Sequence, residues 1–313
     1  VARIKVLVSE EPDDRVGLEE LRIIPGVEII TYDPNEARPS DLQRAAEVLI
    51  PPYRSSHRPI QLLAQLPKLR MVQLLTAGVD EWLEHVPVHV ALASARGAHA
   101  GPVSEWVLSA ILAQLRQWPT LVRFQDSETW AHRRFDAETL AGKRALIIGA
   151  GSIGMSVARR LAAFDATSTL VASSARAGIH GSAELPNLIG GHSVVVITAP
   201  LNRDTYRLVD GNFLAAMDDG ALLINAARGQ IVDTDALVAE LTSGRLRAAL
   251  DVTDPEPLPP GHPLWARPGV IISPHSARTV PGTNRLCYEV AAKQIRSFAD
   301  GHVPDNAVRK DAS

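Results

Sequence analysis

The chain has 313 residues, with 32 Lys and Arg against 35 Asp and Glu and a formal net charge of −3. Its length suits about two domains, and its apolar and charged fractions are those of an ordinary globular chain. Near-neutral charge and an aromatic content of 4% argue against a basic nucleic-acid footprint, a stacking platform for single strands, or attraction to an anionic membrane.

The first third alternates strand and helix signals. IKVLV (4–8) reads as a strand, EPDDRVGLEELRII as a short helix and VEIITY (27–32) as a second strand. DLQRAAE leads to a strand at VLIPP (48–52), RPIQLLAQLP reads as a helix, and MVQLL (71–75) is a strand ending at Thr76-Ala77-Gly78. A long helix is expected over about 102–117, from apolar residues such as Trp106, Val107, Ala110, Ile111 and Leu115 at a spacing near 3.6. Pro119 is expected to end it, and 120–140 to be a polar loop carrying Trp130. A second series begins at ALIIGAGSIG (145–154), with strands expected at 168–172, 193–198, 221–225, 247–252 and 270–272 and a helix from about Gly282. Short apolar strands between amphipathic helices predict α/β architecture, with parallel sheets covered on both faces.

Several function classes receive no support. The most apolar helix candidate, 103–118, is too short for a bilayer and carries Glu105 and Arg116. The chain opens on a strand-like run without a signal-peptide pattern, so a cytoplasmic protein is expected. The single cysteine, Cys287, cannot form an internal disulfide; its helical setting predicts a buried packing residue. His85 and His89 are separated by Pro87 and lack a third ligand, so no metal site is expected. His132, Arg133 and Arg134 beside Trp130 read as a solvated basic loop.

Gly149-Ala150-Gly151-Ser152-Ile153-Gly154 is a GxGxxG between the strand RALII and the helix SVARRLAAF. In that context the first glycine permits the turn, the second admits a pyrophosphate and the third lets helix and strand pack closely. The helix start supplies N–H groups and a favourable dipole for phosphate. An NAD site usually has an acidic residue at the end of the next strand. Here that strand reads STLVASSAR and offers Ser173, Ser174 and Arg176 instead. Two hydroxyls and a guanidinium suit a 2′-phosphate, which predicts a preference for NADP(H). If Arg176 is only a solvated loop residue, NAD(H) serves equally.

Three further segments carry polar residues where strands end: Arg228 in NAARGQIVD, Asp251 and Glu256 in LDVTDPEPLP, and His275 in SPHSART. Ligands of open α/β sheets bind beyond the carboxyl ends of strands. Each residue also has a plain structural alternative: a helix cap for Arg228, a surface charge for Glu256, a backbone contact for His275. Taken in order with the glycine loop and VVVITAPLNRDTYRLVD (194–210), these segments resemble the D-isomer-specific 2-hydroxyacid dehydrogenase family over about residues 70–300.

The resemblance implies two doubly wound, Rossmann-like domains with an interdomain cleft: a substrate domain at 1–98 and 283–313, and a dinucleotide-binding domain at 99–282. It implies that Arg228 binds the substrate carboxylate and carbonyl, that His275 is the acid/base, and that Glu256 holds the histidine. Ala199 and Pro200 then lie near the adenosine, and Asp251 holds the nicotinamide carboxamide. Ala77, Gly78 and Val79 offer backbone N–H groups to the substrate anion, and Tyr53 is either a pocket wall or a packing residue. A homodimer is implied as well. The chemistry agrees: a guanidinium fork fixes a carboxylate, and a histidine beside a carboxylate can deliver a proton near neutral pH.

The expected activity is hydride transfer between NADP(H), or NAD(H), and a small 2-keto or 2-hydroxy acid such as glyoxylate, hydroxypyruvate or an aryl pyruvate. Two alternatives remain open: a dinucleotide-sensing protein like the family's corepressors, and a phosphite-type dehydrogenase. One departure from the family pattern is Arg278, three residues after His275, where small residues are usual. It bears on the substrate range.

Overall fold

The computed structural model describes residues 3–36, 38–53, 59–132 and 134–308; Arg133 of the basic loop lies outside them. The chain divides into two compact units: Val1–His99 with Val280–Ser313, and Ala100–Thr279.

The first unit is built on a parallel five-stranded sheet in the order β2-β1-β3-β4-β5. The strands are β1 (Ile4–Ser9), β2 (Val27–Tyr32), β3 (Val48–Ile50), β4 (Met71–Gln73) and β5 (Ala91–Ala93). Alternation along the strands sends side chains to both faces. Val6, Val8, Val48, Ile50 and Met71 pack with Leu21 of α1 (Arg15–Arg22) and with Tyr288, Ala291 and Ile295 of α9 (Thr283–Ala299). Leu7, Leu49, Val72 and Leu92 face the other way, onto Leu63, Leu66 and Trp82. The short helices α2 (Asp41–Arg44) and α3 (Asp80–Leu83) link strands in this unit, as does a 3-10 turn at Ile60–Gln65 where a helix was expected. Cys287 is buried in this core, with its Sγ 3.2 Å from Nε2 of His99.

The second unit carries a parallel seven-stranded sheet in the order β12-β11-β10-β9-β6-β7-β8. Its strands are β6 (Arg144–Ile148), β7 (Thr167–Ala172), β8 (His180–Gly181), β9 (Val194–Ile197), β10 (Leu222–Asn225), β11 (Arg247–Leu250) and β12 (Val270–Ile272). One face packs Ile147, Val194, Val196 and Ile224 against Val107 and Ile111 of α4 (Ala100–Leu115) and Val157 and Leu161 of α6 (Ser152–Ala162). The other packs Leu146, Val195, Ile197 and Leu223 against Phe213 and Leu214 of α7 (Gly211–Ala216) and Leu237 and Leu241 of α8 (Thr234–Ser243). Both sheets are therefore doubly wound, and central strands such as β3, β9 and β10 are buried on both faces because both faces are covered.

Residues 118–126 differ from expectation. Pro119 does not close the long helix; it lies in the first turn of a further helix, α5 (Trp118–Asp126). A proline fits there because a first-turn N–H has no intrahelical acceptor to lose. The break falls instead at Gln117, which is left-handed (φ 53°), while its side-chain amide donates to the carbonyl of Asp136 at 2.6 Å. The predicted loop over 120–140 thus begins only after Asp126. Among the described residues no helix is long and apolar enough to cross a membrane.

Asp14 is a fully buried carboxyl in the first unit. It accepts from the N–H of Tyr53 at 3.0 Å and from the hydroxyl of Tyr288 at 2.9 Å, joining the loop after β3 to α9. Gly17 makes room for this arrangement, since a Cβ there would lie 2.2 Å from the Tyr288 ring. Burial pushes the Asp14 carboxyl up from 3.8 to about 6, against the lowering effect of its hydrogen-bond donors. The folded state thus holds this proton more tightly than the unfolded one. The stability it contributes is complete below the unfolded value and is lost as pH rises through about 6. Asp14→Asn keeps an acceptor oxygen and removes the titration. In urea unfolding followed from pH 4 to 8, the wild type should lose up to roughly 3 kcal/mol relative to this variant. Asp14→Ala should cost ~1–3 kcal/mol at pH 4, because two buried donors lose their acceptor, and the cost should shrink as pH rises through about 6.

Candidate active site

The glycine loop follows β6, and β9 lies beside β6 on one side and β7 on the other. Strand order reverses between β6 and β9, which is where doubly wound sheets bind their ligands. Gly149 adopts φ 109°, and a Cβ on it would lie 2.5 Å from the N of Ala199, just past β9. Gly154 meets the loop itself, since a Cβ there would lie 2.0 Å from the carbonyl oxygen of Gly149. The hydroxyl of Thr198 donates to the same carbonyl at 2.8 Å and holds the turn. Gly151 differs: a Cβ there would meet nothing within 4 Å. It precedes α6 and provides no side-chain cap, so the first-turn N–H groups at Ser152, Ile153 and Gly154 have no intrahelical acceptors and remain for an anion. This cradle fits a dinucleotide pyrophosphate.

Ser173, Ser174 and Arg176 are exposed in the bend after β7. The Arg176 guanidinium turns back to donate to the carbonyl of Ala150 in the glycine loop at 3.0 Å. The bend's one cation is thereby fixed beside the pyrophosphate cradle, with no carboxylate among residues 168–176. Ala199 is buried against Gly149, and Pro200 is exposed.

Arg228, Glu256 and His275 follow β10, β11 and β12, three neighbouring strands whose carboxyl ends share one edge of the sheet. Nδ1 of His275 is 2.7 Å from Oε1 of Glu256, with both side chains about two-fifths exposed. A carboxylate only accepts, so Nδ1 carries hydrogen and Nε2 is the ring atom left for a substrate. Arg228 stands on a turn pinned by buried Asn225, whose Oδ1 accepts from the Ala227 N–H at 3.0 Å and whose Nδ2 donates to the Arg228 carbonyl at 2.9 Å. The next residue, Gly229, lies so close to the following loop that a Cβ would be 2.0 Å from the carbonyl oxygen of Thr253. The arginine turn and the loop leading to Glu256 are thus in backbone contact.

His275 is itself left-handed (φ 50°), which is costly for a side chain with a Cβ and persists only where neighbours hold it. Its N–H donates to the carbonyl of Asp251 at 2.7 Å. The Asp251 carboxylate accepts from the Ser273 hydroxyl (2.6 Å) and from the N–H groups of Ser276 (2.8 Å) and Ala277 (3.1 Å). Sequence reasoning did not find Asn225, Thr198 or Ser273. A buried polar residue ending an apolar strand, as in LLIN, was the available signal.

In the first unit, Ala77, Gly78 and Val79 follow β4, and the Thr76 hydroxyl donates to the Gly78 carbonyl at 2.7 Å. Tyr53 is 6% exposed and packs with that unit's core.

A glycine cradle at the reversal point, with a paired histidine and carboxylate at the ends of β12 and β11 in the same sheet, is the equipment of a nicotinamide-dependent oxidoreductase. The family profile for the D-isomer specific 2-hydroxyacid dehydrogenase, NAD binding domain, matches residues 108–277. A glyoxylate reductase of Thermofilum pendens is 30% identical over 268 residues, covering 80% of this chain and 78% of its own. The glyoxylate/hydroxypyruvate reductase A of Serratia proteamaculans is 30% identical over 300 residues, 91% of each chain. The crystal structure of an NADPH-dependent glyoxylate/hydroxypyruvate reductase from Sinorhizobium meliloti, in complex with NADP and sulfate, superposes with a TM-score of 0.84 at 26% identity, covering 99% of both chains. The chain belongs to the D-isomer specific 2-hydroxyacid dehydrogenase family.

The three glycines should separate by experiment. Gly154→Ala forces a carbonyl aside and should destabilise the protein by ~1–3 kcal/mol in urea unfolding. Gly151→Ala points into open space; it should leave the unfolding midpoint unchanged while weakening NADPH at least about tenfold in a fluorescence titration.

Proposed function

We propose that the protein reduces small 2-keto acids, glyoxylate and hydroxypyruvate foremost, to 2-hydroxy acids with NADPH. The observation that carries this reading is the 2.7 Å contact between His275 and Glu256 on the strands beside Arg228. The printed activities of the relatives, glyoxylate and hydroxypyruvate reduction, support the substrate class. The second unit would take the dinucleotide and the first the substrate-side contacts.

A nicotinamide dinucleotide, when held by the glycine loop Gly149–Gly154 and Arg176, would supply a hydride for the carbonyl carbon. Arg228 holds the substrate carboxylate in its planar fork and stabilises charge gathering on the carbonyl oxygen. His275 delivers a proton from Nε2 to that oxygen, completing the hydroxyl. Glu256 holds Nδ1 and fixes the orientation of the ring. In the first unit, the N–H groups of Ala77, Gly78 and Val79 are the proposed anion donors.

The preference for NADP(H) over NAD(H) rests on Arg176, which is anchored to the Ala150 carbonyl and flanked by Ser173 and Ser174. These groups can receive a 2′-phosphate, and there is no carboxylate to repel it. A homodimer is proposed as the assembly. Trp130, 91% exposed, and the exposed Trp118 and Val122 of α5 are apolar surface that a second copy would cover.

A panel of keto acids assayed with both cofactors tests the function. Turnover of glyoxylate or hydroxypyruvate with NADPH is expected; NADPH binding without turnover of any keto acid would leave a dinucleotide sensor instead. Arg176→Ala should raise the KM for NADPH about tenfold or more, the loss of a charged hydrogen bond, with the NADH value nearly unchanged. His275→Gln should lower kcat by about 10²- to 10⁴-fold. Reduction consumes the ring proton, so it should fall at high pH, and oxidation of the hydroxy acid should fall at low pH. Flat profiles in both directions would contradict the role of His275.

A further inference from the structure

Asp251 stands at the end of β11, only 4% exposed. A carboxylate so buried is tolerated only where donors replace its lost water. Oδ1 accepts from the Ser273 hydroxyl (2.6 Å) and the N–H groups of Ser276 (2.8 Å) and Ala277 (3.1 Å), and Oδ2 shares the Ala277 N–H at 3.1 Å. Every one of these donors comes from the five residues centred on His275. The main chain of Asp251 acts on the same turn, since its carbonyl takes the His275 N–H at 2.7 Å while its own N–H is anchored on the Asn225 carbonyl at 3.0 Å. One residue, fixed to β10, thus grips both flanks of a histidine held at φ 50°.

We propose that Asp251 is the positioning residue of His275: its carboxylate gathers the donors around the histidine into one turn and so presents the imidazole to Glu256 and to the substrate. This rests on the role given to His275 above. It adds to the role that family resemblance implies, a grip on the nicotinamide carboxamide, because Oδ1 is drawn on from within the protein while Oδ2 takes only the shared Ala277 N–H. Removing the brace frees the turn to relax toward right-handed or extended backbone and carries the ring away from its 2.7 Å contact with Glu256. Misplacement by about 1 Å costs about a hundredfold in rate. The glycine loop and the bend after β7, which hold the rest of the dinucleotide, are untouched by this loss.

The test uses the full-length protein as wild type, Asp251→Asn and Ser273→Ala. The asparagine has the same size but replaces an acceptor oxygen with a donor that faces backbone N–H groups; the alanine removes one donor and leaves the charge. Measured quantities are the NADPH Kd by fluorescence titration, kcat and KM for glyoxylate, the pH profile of kcat, and amide hydrogen exchange at Ser276 and Ala277. Asp251→Asn should lower kcat at saturating NADPH by about 30-fold or more and shift the pH profile, with the Kd within about threefold. Ser273→Ala should lower kcat about three- to tenfold, also without loss of NADPH affinity. Exchange at Ser276 and Ala277 should quicken in both variants.

A raised Kd with kcat unchanged at saturation would make Asp251 a cofactor ligand and overturn the proposal. So would a wild-type kcat and pH profile in both variants. If Asp251→Asn does not fold, Ser273→Ala decides by the same readings. If the wild type turns over no keto acid, the proposed function fails separately; unchanged amide exchange in the variants would then overturn the brace itself.

Discussion

The parallel pairing of β10, β11 and β12 is the constraint on which the candidate site depends. Neighbouring parallel strands lie about 4.8 Å apart, and the register matches Asn225 with Leu250 and Leu250 with Ile272. Three loops that start at these ends therefore begin within a few ångströms of one another, although Arg228 and His275 belong to distant parts of the chain. Close backbone approach tightens the arrangement further, because Gly229 lies against the Thr253 carbonyl with no room for a Cβ. Disturbing that pairing would scatter the arginine, the glutamate and the histidine together.

Buried polar side chains at the strand ends turn this placement into chemistry. Asn225 and Asp251 sit on adjacent strands joined by the Asp251 N–H to Asn225 carbonyl bond at 3.0 Å. Asn225 spends its amide on the turn carrying Arg228, and Asp251 spends its carboxylate on the turn carrying His275. The exposed groups are thus mounted on satisfied, buried ones, so functional side chains at a solvent edge can keep a defined geometry. The cofactor side follows the same pattern, with the Thr198 hydroxyl holding the Gly149 carbonyl and Arg176 holding that of Ala150.

Much of this was legible in the sequence where the physical demand is local. The glycine spacing could be read because each missing Cβ answers a steric need within a few residues of itself. The runs VVVI and ALII could be read as strands because they are apolar on both faces. The two-residue strand β8 and the small-residue strand β5 were not anticipated; they are strands only through pairing with β7 and β4. Pro119 was misread because a proline that ends one helix and a proline that opens the next look the same until the bend at Gln117 is known. Arg278 departs from the family pattern in the sequence.

By itself the sequence determined the two α/β layouts, the glycine cradle and the identity of the three polar residues that end strands, because propensity and side-chain chemistry are properties of short segments. Tertiary structure alone decided that Glu256 meets His275, that Asp251 turns inward to the histidine loop, and that Tyr53 packs in a core held by Asp14 and Tyr288. Those outcomes depend on which distant donors reach a buried acceptor, and strand order and register, rather than local composition, fix that.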